Sequence, residues 1–153
     1  MDLHLSEEHE MIRKTAREFA QKEVAPIAAE IDEQARVPVE NIRKMGELGF
    51  PGLTVSEAYG GAGADTVACA IAVEEIARVC ASTAAVMSVQ NSLVCQGLEL
   101  YGDDVQKARF LPRLACGEAL GAFALTELEA GCDAAAQRST ARRDGDSDLR
   151  GDV

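Results

Sequence analysis

Apolar positions in this chain recur mostly at helical spacing. From Ser6 to about Gln34, the residues Ile12, Ala16, Phe19, Val24, Ile27 and Ile31 fall roughly on one helix face. Ser6 is a good N-cap, and Glu7 and Glu8 follow in the first turn, where the helix dipole favours acid. Pro26 has no N–H to donate to the preceding turn, so a kink or interruption is predicted there. A second helix is predicted from Pro38, carrying Val39, Ile42, Met45 and Leu48 and stopping at Gly49. Residues 66–80 read as a third helix, capped by Asp65, with Ala68, Ile71, Ala72, Ile76 and Val79 on one face. A fourth, capped by Ser82 or Thr83, runs through Val86, Val89, Leu93 and Leu98 to Leu100 before Gly102 stops it. A fifth opens at Asp103 or Asp104 and carries Val105, Phe110, Leu111 and Leu114, strained by Pro112 and ended by Gly117.

The pattern changes after Gly121. Ala122 to Thr126 reads as a short buried strand that runs into a small-residue loop around Gly131. Residues 137–143 read as a second strand, and the polar tail 144–153 is expected to be disordered. The fold class is therefore mainly α: a helical bundle over 1–120, the start of a β domain over 121–143, and a tail.

Composition narrows the function classes. The chain has 153 residues, 47% of them apolar, which is enough for one real core. Trp is absent and aromatics are few, so Ala, Leu, Val and Ile must fill that core. A net charge of −11 disfavours nucleic acid and anionic membranes. No apolar run approaches the ~20 residues of a membrane span. The charged, amphipathic N-terminus does not resemble a signal peptide. The five cysteines are odd in number and no two are spaced Cys-x-x-Cys, so neither a disulfide framework nor a zinc site follows. Cys69, Cys80 and Cys95 fall in apolar helical patterns and read as small core residues, which suits a reducing compartment.

Candidate chemistry is sparse. Gly60-Gly61-Ala62-Gly63 precedes a helix but lacks the spacing and the Lys-Ser/Thr of a phosphate loop, so a plain turn is expected. Glu74 and Glu75 point about 100° apart on a helix, and Arg78 lies within ion-pair reach, which describes a solvated surface. His4 and His9 have no nucleophile partner in the pattern, which argues against a hydrolase triad. Thr126 offers a hydroxyl and neighbouring backbone N–H groups at a strand-to-loop junction, which suits a polar cofactor edge. Cys132 follows Gly131 in a turn that either cradles an anion or is inert; local chemistry leaves both open.

Taken in order, several blocks are similar to the N-terminal part of acyl-CoA dehydrogenases. They are Tyr59-Gly60-Gly61-Ala62-Gly63, Val73-Glu74-Glu75-Ile76-Ala77-Arg78, Ser88-Val89-Gln90-Asn91-Ser92-Leu93, and Tyr101-Gly102 continuing to Gln106-Lys107. Leu111-Pro112 and Gly117-Glu118 follow, then Phe123-Ala124-Leu125-Thr126-Glu127 and Ala130-Gly131-Cys132-Asp133-Ala134. The resemblance covers roughly residues 5–145 and leans toward short- and branched-chain members.

The resemblance implies a helical N-terminal domain, a β middle domain and a C-terminal helical bundle, with FAD between the last two. It implies α,β-dehydrogenation of an acyl-CoA thioester, in which a glutamate takes the α-proton and the flavin takes the β-hydride. Phe123, Ala124, Leu125, Thr126, Gly131 and Cys132 then match the first flavin-binding segment. Leu125 and Thr126 would give backbone N–H groups, and Thr126 its hydroxyl, to the pyrimidine edge of the ring. Cys132 stands where serine is usual, near the pyrophosphate and the substrate, and Leu128 stands where proline is common. Asn91 and Leu93 would lie near the acyl-chain wall. The resemblance implies electron-transfer flavoprotein as acceptor, a homo-oligomer, no metal, and a bacterial cytoplasm or mitochondrial matrix. The catalytic base is expected from a C-terminal domain that the chain lacks, so no catalytic residue is assigned and the chain is expected to be inactive alone. Two other readings stay open. One is a non-catalytic helical module that pairs with a separate subunit; the other is an acyl-CoA oxidase relative.

Overall fold

The structure is a computed structural model that describes residues 4–144 and 147–152. Its contacts divide the chain into two units, Met1–Ala122 and Phe123–Val153. In the first unit, Ser6 caps helix α1 (Glu7–Phe19), its hydroxyl accepting the His9 N–H at 3.1 Å. The helical path continues through a π turn (Ala20–Val24), a 3-10 turn (Ala25–Ile27) and α2 (Ala28–Glu33). Pro26 explains that succession. It donates no hydrogen bond and its ring crowds the carbonyl four residues back, so the ladder widens before it and tightens around it. The expected interruption is therefore a change of pitch rather than a break.

Helix α3 (Val39–Glu47) follows Pro38 and ends before Gly49, whose φ of 74° needs glycine. Helix α4 (Thr66–Ala77) is capped by Asp65, which accepts the Ala68 N–H at 2.8 Å. Helix α5 (Ala81–Val89) runs through a π turn (Gln90–Cys95) into α6 (Gln96–Tyr101). Neither Ser82 nor Thr83 caps α5. The helix starts at Ala81, and the Thr83 hydroxyl instead donates to Cys80 Sγ at 3.2 Å inside the fold. Helix α7 (Asp104–Ala115) opens with a reciprocal cap between Asp103 and Gln106.

The main core joins Ala16, Phe19, Ala20 and Val24 to Ile42, Met45, Phe50, Ala72, Ile76 and Met87. Phe19 and Phe50 meet edge to face with centroids 5.8 Å apart. A second cluster gathers Val55, Cys95, Leu111, Leu114 and Ala115 around α7. The cysteines expected inside, Cys69, Cys80 and Cys95, are all buried and free. Burial pushes the Cys95 thiol up to about 11.

Two inward faces differ from the expected ones. Along α5 and its π turn the buried residues are Thr83, Ala84, Met87, Gln90, Asn91 and Cys95, whereas Leu93 is 42% exposed. The wider π turn rotates later positions relative to a regular helix, so the stripe predicted at 3.6 spacing is not the one that packs. In α7, Val105 and Phe110 face outward and Leu111, Leu114 and Ala115 face in.

Glu75 is a further correction. It is not solvated: it is 3% exposed and receives Arg17 Nε and Nη2 from α1 at 2.9 and 2.8 Å. Its neighbour Glu74 does pair with Arg78 on the surface, at 2.8 Å.

Where the second unit begins, the expected strand Ala122 to Thr126 does not form, and all five residues are exposed. An isolated segment gains no ladder hydrogen bonds, and no described strand pairs with it. The second expected strand, 137–143, forms only from Thr140 onward. β1 (Thr140–Asp144) pairs antiparallel with β2 (Ser147–Asp152), placing Thr140 opposite Asp152 and Arg142 opposite Arg150, with a bulge before Asp144. β2 occupies most of the tail expected to be disordered. Positions 145, 146 and 153 of that tail lie outside the described residues.

Two stability predictions follow from this packing. The Arg17 hydrogen bonds foremost hold the Glu75 carboxyl below the usual carboxylate range, against its burial. The pair's contribution is then complete above about pH 5, beyond the unfolded value of about 4.3, and is lost as pH falls through the depressed folded value. Arg17→Ala is expected to lower stability at pH 7, because it leaves the buried Glu75 carboxylate without its partner while the half-exposed arginine itself loses little. The gap between the urea midpoints of wild type and Glu75→Gln should narrow progressively as pH falls below the unfolded value of about 4.3; a constant gap across pH would refute the assignment. Asn41 is fully buried and, among the described residues, neither its amide nitrogen nor its oxygen has a partner. Asn41→Leu is expected to raise stability by about 1–2 kcal/mol in urea denaturation; a loss instead would mean that the amide holds an internal water.

Candidate functional site

The helical unit carries a cleft of about 620 Å³ between α4 and the α5 π turn. Cys69, Ala70 and Val73 line one side, and Ser88, Ser92 and Gln96 line the other. Helix α4 is apolar on most sides, so one face packs into the core while another lines this cleft. Burial raises the Cys69 thiol above its ordinary range, which keeps it protonated and inert.

Asn91 borders the cleft, but its amide is fully engaged elsewhere. Its Nδ2 donates to Phe50 O at 2.8 Å and to Met87 O at 3.0 Å, while its Oδ1 accepts the Thr54 N–H at 3.3 Å and the Thr54 hydroxyl at 3.4 Å. The side chain holds the 50–54 loop on the helix. Leu93, two residues on, presents an exposed apolar side chain.

The other expected site residues lie in the second unit. Phe123, Ala124, Leu125, Thr126, Gly131 and Cys132 are all exposed. Among the described residues, no hydrogen bond engages the N–H of Leu125, the N–H of Thr126 or the Thr126 hydroxyl. Three donors are therefore open within two residues. The loop that carries them is tied down from behind. Glu127 and Ala130 exchange backbone hydrogen bonds at 2.9 and 3.3 Å. The Glu127 carboxylate receives the Arg138 and Ser139 N–H groups at 2.7 and 2.9 Å, and those bonds hold its pKa below the ordinary range. The Gln137 side chain donates to Leu125 O. A Cβ added at Gly131 would meet nothing within 4 Å, so nothing in the described chain requires glycine there.

Several alternatives fall away on geometry. The N–H groups of residues 60, 61, 62, 63 and 64 each donate to a carbonyl among residues 52–57, so the glycine loop has no donors left for a phosphate. Gly61 is required for close approach, since a Cβ there would lie 2.1 Å from Val55 O. His9 does meet a serine and an aspartate, but as a clamp. Its ring pairs with the Asp65 carboxylate at 3.0 Å, and its Nδ1 accepts the Ser6 N–H rather than the hydroxyl of a nucleophile. The contact joins the N-caps of α1 and α4. No cluster of metal-binding side chains occurs among the described residues.

Sequence reasoning missed Gln90, Glu75 and Glu127. For Gln90 the signal was present: two adjacent amides interrupt an apolar helical run. Nothing local distinguished Glu75 from Glu74, or marked Glu127 as the acceptor for residues 138 and 139.

Comparison with known proteins agrees with this anatomy. Residues 6–118 match the family described as acyl-CoA dehydrogenase, N-terminal domain. The chain is 47% identical to the short-chain specific acyl-CoA dehydrogenase of Clostridium acetobutylicum, over 95% of this chain and 38% of that one. The butyryl-CoA dehydrogenase of Megasphaera elsdenii superimposes with a TM-score of 0.87 at 36% identity, covering 95% of this chain and 39% of that one. The acyl-CoA dehydrogenase of Bacillus anthracis, solved complexed with FAD, gives a TM-score of 0.83 at 37% identity, over 90% of this chain and 24% of that one. The chain thus spans less than two-fifths of the length of these relatives. Within that span, the helical packing and the matched residues establish that it belongs to the acyl-CoA dehydrogenase family, as the N-terminal domain.

Proposed function

We propose that this chain is the N-terminal part of an FAD-dependent dehydrogenase of short-chain acyl-CoA thioesters. The observation that carries the reading is the set of open donors at Leu125 and Thr126 on a loop clipped by Glu127 and Gln137. The donor set fits a flavin edge, whose carbonyl oxygens and ring nitrogen accept hydrogen bonds. FAD, when bound, takes up the hydride that leaves the acyl chain. The chain's own residues bind and orient. Leu125 and Thr126 donate N–H groups and Thr126 its hydroxyl, holding negative charge that develops on the acceptor. Phe123 and Ala124 lead into that pair. Gly131 leaves backbone space for close approach of the ligand, which explains a glycine that internal sterics do not require. Cys132 contributes a thiol donor toward the pyrophosphate and substrate. Leu93 forms part of the acyl-chain wall, and Asn91 holds the helix that presents it.

The base that takes the α-proton is expected from the part of the complete enzyme outside the span matched here. Electron-transfer flavoprotein is the expected acceptor, the complete enzyme is expected to be a homo-oligomer, and the free thiols suit a bacterial cytoplasm or mitochondrial matrix.

A chimera tests the reading: residues 1–145 replace the matching segment of the Clostridium acetobutylicum relative. It is expected to bind FAD and to reduce a dye acceptor with butyryl-CoA, whereas 1–153 alone turns nothing over. Turnover by 1–153 alone, or an FAD-loaded chimera that no short acyl-CoA reduces, would overturn it. In the chimera, Thr126→Val should weaken FAD binding by about 1 kcal/mol, roughly fivefold. Cys132→Ser should tighten it by about 0.5–1.5 kcal/mol, because a hydroxyl is the better donor. Fluorescence titration of FAD reads both.

A further inference from the structure

Gln90 opens the π turn after α5 and is 2% exposed. Its Nε2 donates to Leu114 O at 3.0 Å and to Ala119 O at 3.1 Å, and its Oε1 accepts the Gly121 N–H at 3.0 Å. One carboxamide therefore ties the end of α7 and the last residues of the helical unit to the π turn. Val94, in the same turn, presses on the same place. A Cβ at Gly121 would lie 2.2 Å from Val94 Cγ1, so only glycine fits there. Residues 119–121 are thus held by hydrogen bonds and by packing, and the second unit begins two residues later, at Phe123. A buried glutamine with both amide hydrogens and its oxygen occupied by backbone far away in sequence is a costly arrangement to leave half-made.

We infer that Gln90 is a positioning residue for the flavin-contacting segment: it fixes residues 119–121 and so sets the point from which Phe123 to Thr126 depart. The inference rests on the flavin reading above, but the latch itself can be read without flavin.

Amide hydrogen exchange on chain 1–153 provides that reading. Gln90→Met keeps the volume and removes all three hydrogen bonds. Exchange at Gly121 is expected to rise about tenfold or more, with Ala72 and Ile76 in α4 unchanged. Unchanged exchange at Gly121, or an equal rise in α4, overturns the latch. A second pair of variants leaves Gln90 intact. Gly121→Ala should raise exchange at position 121 by a similar factor, and adding Val94→Ala should restore protection; absence of rescue overturns the packing half of the argument. In the chimera, Gln90→Met is expected to raise the Kd for FAD about tenfold while the KM for butyryl-CoA stays within about twofold. Faster exchange at Gly121 with unchanged FAD affinity overturns the positioning role and leaves the flavin reading standing. A chimera with native Gln90 that binds no FAD sinks the flavin reading and the positioning role together, and the exchange data alone then decide the latch.

Discussion

Two neighbouring carboxamides, Gln90 and Asn91, tie together the parts of the helical unit that ordinary helix packing would leave loose. Asn91 holds the irregular 50–54 loop through Phe50 O and Thr54, and Gln90 holds the chain from Leu114 to Gly121. Both side chains are buried, so each unmade bond would leave a desolvated polar group. Both also sit in a π turn, where the ladder is wider than in a regular helix. That turn interrupts the apolar stripe inherited from α5, placing Leu93 outward and the amides inward. A feature that looks like an imperfection in the helical pattern is therefore what connects two loops to one helix.

Charge does a related job between α1 and α4. Arg17 of α1 reaches across to Glu75 of α4 in a two-bond pair, and His9 links the caps of the same two helices through Asp65. Both contacts join segments more than fifty residues apart. The Phe19–Phe50 contact lies in the core. Burial of a carboxylate is tolerable only because the guanidinium supplies matched donors, which makes the pair a fastening of α1 on α4 rather than a large net source of stability.

The second unit has a different character. Its donors at Leu125 and Thr126 point to no partner within the described chain, while the loop behind them is clipped by Glu127 and Gln137. Organised but open hydrogen-bonding groups are what a binding segment needs, since ordering them beforehand lowers the entropic cost of contact. The same openness explains why Ala122 to Thr126 forms no strand: its backbone groups have no ladder to join.

The helices α1, α3, α4 and α7, the caps at Ser6 and Asp65, the start of α7 at one of two aspartates, and the burial of Cys69, Cys80 and Cys95 were legible in the sequence. Each rests on interactions within a few residues, where spacing and side-chain chemistry suffice. The candidate site was legible only as a motif, Phe123 to Cys132, because a matching order of residues needs no coordinates. The inward turn of Gln90 and Asn91, the outward turn of Leu93 and the pairing of Glu75 with Arg17 were not legible. Neither was the β2 strand inside an apparently featureless tail. Those depend on a partner distant in the chain, and Glu74 and Glu75 are the same letter until α1 approaches one of them. Local pattern thus determined which segments are helical and where they begin, while tertiary contact alone decided which polar groups are buried, because only a fold that brings donor to acceptor can offset the loss of water.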